Sequence, residues 1–221
     1  TYNNDDFPLS KRDVVSYDLL DSRNHILATD IVSPFANPRQ NLSAMDGYAL
    51  AQGSTLDAES TIAIVGESQA GSPYRGDIIA GQGVRIFTGA VVPDSCDTVV
   101  MQENTNFAAI KDRIDKSKPY DMTLSKTANP NDNIRKQGEE IEARDVVLQK
   151  GKRLNPTDIS LLANLGFDKV DVYQPLIVGV LATGDELVAI GNELTSLAQI
   201  YNSNTPTLKT LLSSLPVTVR D

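Results

Sequence analysis

The stretch 44–135 most constrains the fold, because a run of that length without a sustained 3.6-residue apolar period cannot be built of helices. Short β-like runs recur in it, at 61–65, 83–87 and 98–101, separated by Gly, Pro, Asp and Ser. That texture predicts a small all-β domain. The flanks read differently. Ser10 with Asp13 three residues on is an N-cap signature, and Val14, Val15, Leu19 and Leu20 follow at near-helical spacing. Residues 26–32 then read as a strand stopped by Ser33-Pro34. Beyond the β-like stretch, a helix is predicted from Asn155 or Thr157, one of which caps it, to a left-handed stop at Gly166. A strand at 169–173 follows and ends before Pro175. The predicted organisation is discontinuous: a first domain of 1–43 and 136–174, interrupted by an inserted β domain of 44–135.

From 175 to 221 the pattern is strand, loop, helix, strand. The continuous apolar run 176–182 fits a parallel strand buried on both faces. After the loop 183–203, Asn204 or Thr205 can cap a helix with Pro206 in its first turn, and 215–219 begins another strand. This is the opening βαβ of a doubly wound domain, cut short, and the chain from Thr1 to Asp221 reads as a piece of something longer.

Composition narrows the classes of partner. A net charge of −9 argues against nucleic acid or an anionic membrane, since phosphates select basic surfaces. The longest apolar run is too short to span a bilayer and no signal peptide is recognisable, so the cytoplasm is expected. The single Cys96 cannot form an internal disulfide and reads as a small buried hydrophobe; with one His besides, a zinc site or a Cys-His pair is excluded.

Four short motifs carry the chemistry. Thr183-Gly184-Asp185-Glu186 follows a buried strand, the place where ligands bind in open α/β sheets. Its glycine permits close backbone approach, and adjacent carboxylates can hold a hard cation; alone, the tetrapeptide reads first as a solvated turn. Asp221 stands at the end of the next strand, on the same rim, as a further acid. Met45-Asp46-Gly47-Tyr48 is either a turn entering a strand or a carboxylate ligand. Thr88-Gly89-Ala90 follows a strand and offers backbone N–H groups that can receive an anion, while Gly81 and Gly83 read as hairpin glycines. In 133–140, Arg135 and Lys136 lie among Glu139 and Glu140, either as a surface salt-bridge cluster or with Arg135 gripping a phosphate while the acids assist a metal. Asn204 is read first as an N-cap, and second as part of a phosphate site at a helix start.

In their order and spacing, Asn41-Leu42-Ser43-Ala44-Met45-Asp46-Gly47-Tyr48, Arg85-Ile86-Phe87-Thr88-Gly89-Ala90, Asn133-Ile134-Arg135-Lys136-Gln137-Gly138-Glu139 and Thr183-Gly184-Asp185-Glu186-Leu187 resemble the molybdopterin molybdenumtransferase family, which includes the C-terminal domain of gephyrin. The resemblance covers the whole chain as the N-terminal half of a family member. It implies α/β and β multidomain architecture: an elongated domain used in dimerisation, its inserted β domain, and the start of a three-layer α/β domain. It further implies a homodimer that places molybdate on adenylylated molybdopterin with release of AMP, supported by Mg²⁺, and an adenylyltransferase partner that delivers the substrate. By matching positions, Asp46, Thr88 and Glu186 fall to catalysis. Thr183, Gly184, Asp185, Arg135 and Asn204 fall to pterin-phosphate binding, and Asp185, Glu186, Glu140 and Asp221 to metal. Leu42 departs from the family's polar residue, and Glu140 stands where an aspartate is common. Two other classes fit part of the pattern: a gephyrin-like scaffold without catalysis, and a generic Mg²⁺-dependent phosphohydrolase.

Overall fold

The computed structural model describes residues 12–220 apart from 52, 54, 55 and 116, so Ser10 and Asp221 lie outside the described residues. The chain forms two compact units. One joins the residues up to Val32 to those from Val146 onward, and the other is Ser33–Asp145.

The first unit opens on β1 (Val14–Asp18), a 3₁₀ turn at Leu19–Asp21 and β2 (Ile31–Val32). The helix predicted through Val14, Val15, Leu19 and Leu20 is not there. Val14-Val15-Ser16-Tyr17 is β-branched and aromatic, its burial alternates with period two, and it pairs antiparallel with Lys169–Tyr173 from Val14↔Tyr173 to Asp18↔Lys169. Leu20 points to solvent, whereas Leu19 enters the core.

In the second unit follow β3 (Leu42–Ser43), β4 (Gly47–Ala51), β5 (Thr61–Ser68), β6 (Gln82–Ile86), β7 (Cys96–Met101), the one-turn α1 (Phe107–Ile110), β8 (Tyr120–Thr123) and β9 (Ile134–Arg135). Five strands make one sheet in the order β7-β4-β6-β5-β8. β5 and β6 run parallel, and the other neighbours antiparallel. Gly81 and Gly83 are therefore not hairpin glycines. Gly81, at φ +82°, turns the chain out of the crossover 69–81, and Gly83 lies within β6.

β4, flanked by β7 and β6, is buried on both faces. Tyr48 and Leu50 pack with Ile62, Ile64, Met122 and Leu124; Ala49 packs on the other side with Val84, Ile86, Val92 and Val99. Cys96 belongs to this second cluster, and burial pushes its thiol up to about 12, an inert hydrophobe. Gly47 is required by proximity, since a Cβ there would lie 1.9 Å from the Val100 carbonyl oxygen across the β4–β7 ladder.

The chain then returns to the first unit with β10 (Val146–Leu148), α2 (Pro156–Asn164), β11 (Lys169–Tyr173), β12 (Leu176–Gly179), β13 (Leu187–Val188), β14 (Ile200–Tyr201), α3 (Asn204–Leu212) and β15 (Val217–Arg220). α2 starts on a reciprocal capping box: Asp158 N–H donates to Asn155 Oδ1 at 3.0 Å, and Asn155 N–H to Asp158 Oδ2 at 2.9 Å. Leu19, Leu27, Ile31, Leu148, Leu154, Leu162, Val170 and Val172 form the core of this unit.

β12 and β15 pair in parallel from Leu176↔Val217 to Gly179↔Arg220, with α3 in the connection, which is the expected βαβ unit. The expected burial of β12 on both faces is not seen: Leu176 and Ile177 are 48% and 55% exposed. Among the described residues this sheet has two strands, and a parallel strand is covered on both faces only when further strands and helices enclose it. The architecture as a whole is α/β and β, in more than one unit.

Gly47→Ala is expected to destabilise the second unit by about 3 kcal/mol, because the colliding atom is backbone and cannot rotate away. Chemical denaturation checks this; an unchanged midpoint would contradict the close approach.

Candidate active site

In the second unit, three of the four motifs meet at one corner. The β4–β6 register sets Gly47 opposite Ile86, so Asp46 and Thr88 emerge side by side at the same edge of the sheet. Thr88 donates to Asp46 Oδ1 twice, from its backbone N–H and from Oγ1, each at 2.8 Å. β3 lies alongside and pairs with β9, Leu42↔Arg135 and Ser43↔Ile134. Ser43 N–H donates to the Ala90 carbonyl, Gly89 N–H to the Ser43 carbonyl, and Ala44 N–H to the Asn133 carbonyl.

These pairings correct one reading. The N–H groups of Thr88, Gly89 and Ala90 are not open to an exogenous anion, because Asp46, the Ser43 carbonyl and the Phe87 carbonyl accept from them. The internal anion is the Asp46 carboxylate. Its pKa is held below the ordinary 3.8 by the Thr88 backbone and hydroxyl bonds and, more weakly, by the Arg85 guanidinium, against a small opposing effect of burial.

Arg135 has its Nε on Glu139 Oε1 at 3.0 Å and its Nη2 on Glu140 Oε1. Glu140 Oε2 accepts from Asn37 Nδ2 at 2.9 Å, and Glu139 Oε2 from the Lys136 N–H at 2.8 Å. In this arrangement the guanidinium is engaged by two acids, and both oxygens of Glu140 are occupied. All three side chains are substantially exposed, where such pairs contribute little stability.

The fourth motif lies in the first unit, just past β12. Thr183 and Asn204 share an open cavity of about 380 Å³ between the strand end and the start of α3, with Leu181, Leu187, Thr205 and Leu208. Gly184 adopts φ +150°, and the Glu186 carboxylate folds back over it; a Cβ at Gly184 would meet Oε1 and Oε2 at 2.7 Å each. Asp185 and Glu186 are exposed, and neither carboxylate is hydrogen-bonded or ion-paired among the described residues.

Asn204 is not the cap of α3. It is the first helical residue, the capping position is Ser203 without a side-chain bond, and Asn202 supplies the acceptor, its Oδ1 receiving the Thr205 N–H at 3.1 Å. With the Thr205 N–H used and Pro206 lacking one, the backbone donor left in the first turn is that of Asn204.

Among the described residues no three His, Cys, Asp or Glu side chains converge as a metal-binding group. Mg²⁺ needs fewer: it is commonly held by one or two carboxylates, with waters and substrate phosphates completing its octahedron. Asp185 and Glu186, adjacent, hard and unpartnered, fit that description. Glu140, neutralised by Arg135, fits it poorly. Sequence reasoning also missed Arg85, a cation 8% exposed on the inner face of β6; a charged residue inside an apolar strand was the available signal.

Comparison with known proteins gives the family of the chain. Residues 4–166 match the family model described as the MoeA N-terminal region (domain I and II), and the chain belongs to that family. It is 41% identical over 203 residues to a molybdopterin molybdenumtransferase of Haemophilus influenzae, covering 92% of this chain and 48% of that protein. A protein of the same name from Staphylococcus epidermidis is 37% identical over 209 residues, with coverages of 93% and 47%. The crystal structure of a molybdopterin biosynthesis MoeA protein from Pyrococcus horikoshii superposes with a TM-score of 0.80 at 26% identity, over 94% of this chain and 54% of that one. The chain thus spans about half the length of the relatives it matches. No helix among the described residues is long and apolar enough to cross a membrane.

Thr88→Val removes the hydroxyl donor and leaves the N–H, so the Asp46 pKa is expected to rise towards 3.8 without reaching it. Because the folded value lies below the unfolded one, the stability Asp46 contributes is present above about pH 4 and is lost as the pH falls through the folded pKa; solvent screening keeps it small. Carboxyl NMR titration of Asp46 in both proteins reads the shift, and identical titration curves would exclude the Thr88 hydroxyl bond as a part of its cause.

Proposed function

We propose that this chain serves the placement of molybdate on adenylylated molybdopterin, with cleavage of the phosphoanhydride and release of AMP, in the assembly of molybdenum cofactor. The observation that carries the reading is the pair of unpartnered carboxylates, Asp185 and Glu186, past the carboxyl end of β12, beside an open cavity of about 380 Å³, in a chain whose relatives are named molybdopterin molybdenumtransferase. Mg²⁺, when bound by Asp185 and Glu186, supplies screening of phosphate charge and polarisation of the scissile bond. Thr183 and the Asn204 N–H orient a phosphate oxygen at the helix start, where the dipole favours negative charge.

Asp46, ionised and aligned by Thr88, serves the molybdate side as a fixed negative group, able to accept a proton or a hydrogen bond from an oxyanion hydroxyl. Arg135 and Glu140 act near a site completed by the second subunit of a homodimer. Delivery of the substrate by an adenylyltransferase, in the cytoplasm, belongs to the same proposal.

A scaffold without catalysis is the second reading, favoured by one observation: Glu140, proposed among the metal ligands, has both oxygens taken by Arg135 and Asn37.

AMP release from adenylylated molybdopterin by the full-length native protein, with Mg²⁺ and with or without molybdate, separates these readings. Molybdate-dependent release that falls roughly a hundredfold in Glu186→Gln and in Asp185→Asn is expected. Molybdate-independent hydrolysis of simple phosphate esters would favour a phosphohydrolase instead. No release from a folded dimer would favour the scaffold.

A further inference from the structure

Away from the Asp46 corner, the β unit contains a cavity of about 290 Å³ that the proposed function does not use. Its floor is Arg85. The β-sheet register places Tyr48 and Glu67 directly opposite Arg85 on either side, so the three share one face. The guanidinium sits 5.0 Å from the Tyr48 ring, 5.2 Å from Phe87 and 4.5 Å from Phe107. Nη1 donates to the Gly47 carbonyl at 3.3 Å and Nη2 to Gln102 Oε1 at 2.6 Å. No carboxylate is ion-paired with it among the described residues, and its further N–H donors have no acceptor among them. A buried cation held by aromatic faces and neutral acceptors, with no carboxylate bonded to it directly, is costly unless something anionic meets it.

Two more observations point the same way. Lys111 and Lys118 also line the cavity, against the one described acid Glu67, so the concavity is positive in a chain of net charge −9. Lys118 is paired with Asp115, which leaves Lys111 as the second cation without an ion pair among the described residues. The Tyr48 hydroxyl is fully buried. It lies near the Tyr120 phenol, which lines the cavity and whose pKa is pushed up by burial first and by Tyr48 second. These buried phenols give the basic cavity a wall that is aromatic as well as polar.

We infer that this cavity is a binding site for a phosphomonoester carried on a single flat ring, with Arg85 and Lys111 on the phosphate and Phe107 and Tyr120 on the ring. A phosphomonoester brings close to two negative charges at neutral pH, matching two cations, where a carboxylate brings one. The volume admits one ring system with its phosphate and excludes a dinucleotide.

The minimal probe is phenyl phosphate, titrated into the full-length protein with ¹⁵N amide shifts as readout, beside inorganic phosphate alone. Saturable shifts at Phe107, Lys111 and Tyr120 are expected, with a Kd on the order of a millimolar for so small a probe and weaker binding of inorganic phosphate. Lys111→Glu, an exposed substitution that leaves the core untouched, is expected to weaken binding about tenfold while leaving the unliganded spectrum unchanged elsewhere. Absence of shifts at these residues, equal affinity for inorganic phosphate, or indifference to Lys111→Glu would each overturn the assignment. Shifts confined to Thr183 and Asn204 would do so too. None of these outcomes bears on molybdate-dependent AMP release, so this inference and the proposed function fail separately.

Discussion

The backbone of Gly47 lies so near the Val100 carbonyl that no side chain fits between them, and the geometry of the Asp46 corner depends on that contact. Asp46 is the next residue. Its own carbonyl accepts the Gln102 N–H at 3.0 Å, the Gly47 carbonyl accepts from Arg85, and its carboxylate is aimed by Thr88. The main chain on both sides of the acid is therefore anchored to the sheet, and its head is fixed by two donors. A carboxylate so held loses little further freedom when it acts, which is what preorganisation requires. The glycine in Met45-Asp46-Gly47-Tyr48 is explained by the approach of β7 rather than by a turn conformation, since its φ is not among the positive ones.

The parts of this fold that could be read from sequence are those whose causes are local. α2 announces itself because Asn155 and Asp158 satisfy each other within one turn. β5, β6 and β7 alternate or run apolar over enough residues to exclude a helix. β1 misleads because its apolar residues, followed by the Leu19–Asp21 turn, imitate helical spacing; what decides the matter is β11, a partner remote in sequence. At the start of α3 the sequence points to Asn204 or Thr205 as the cap, and only the backbone geometry selects Asn202 as acceptor.

The site divides along the same line. The motifs and their order are visible in the sequence, but the pairings that give them chemistry arise from strand register. Gly47 opposite Ile86 brings Asp46 to Thr88, and Tyr48 opposite Arg85 builds the aromatic seat of a buried cation. Register is a long-range property, so neither pairing had a signature in its own segment. The same register closes the Thr88-Gly89-Ala90 donors onto internal acceptors, which no local reading of a strand-to-turn nest would anticipate.

The acids of this chain are not interchangeable, and their partners sort them. Glu139 and Glu140 are committed to Arg135, so recruiting either to a cation means first breaking an ion pair and leaving the guanidinium to water. Asp46 is committed to two neutral donors that stabilise its charge without cancelling it, which suits a fixed anion or proton acceptor better than a ligand that must reorient. Asp185 and Glu186 have no such commitments, and the φ of +150° at Gly184 lets the Glu186 carboxylate fold back over the backbone rather than extend into water. A side chain at that glycine would push the carboxylate away. Under the proposed function, a divalent cation arriving with a phosphate substrate would meet the least resistance at Asp185 and Glu186, and the glycine between Thr183 and Asp185 leaves the space into which the acid folds.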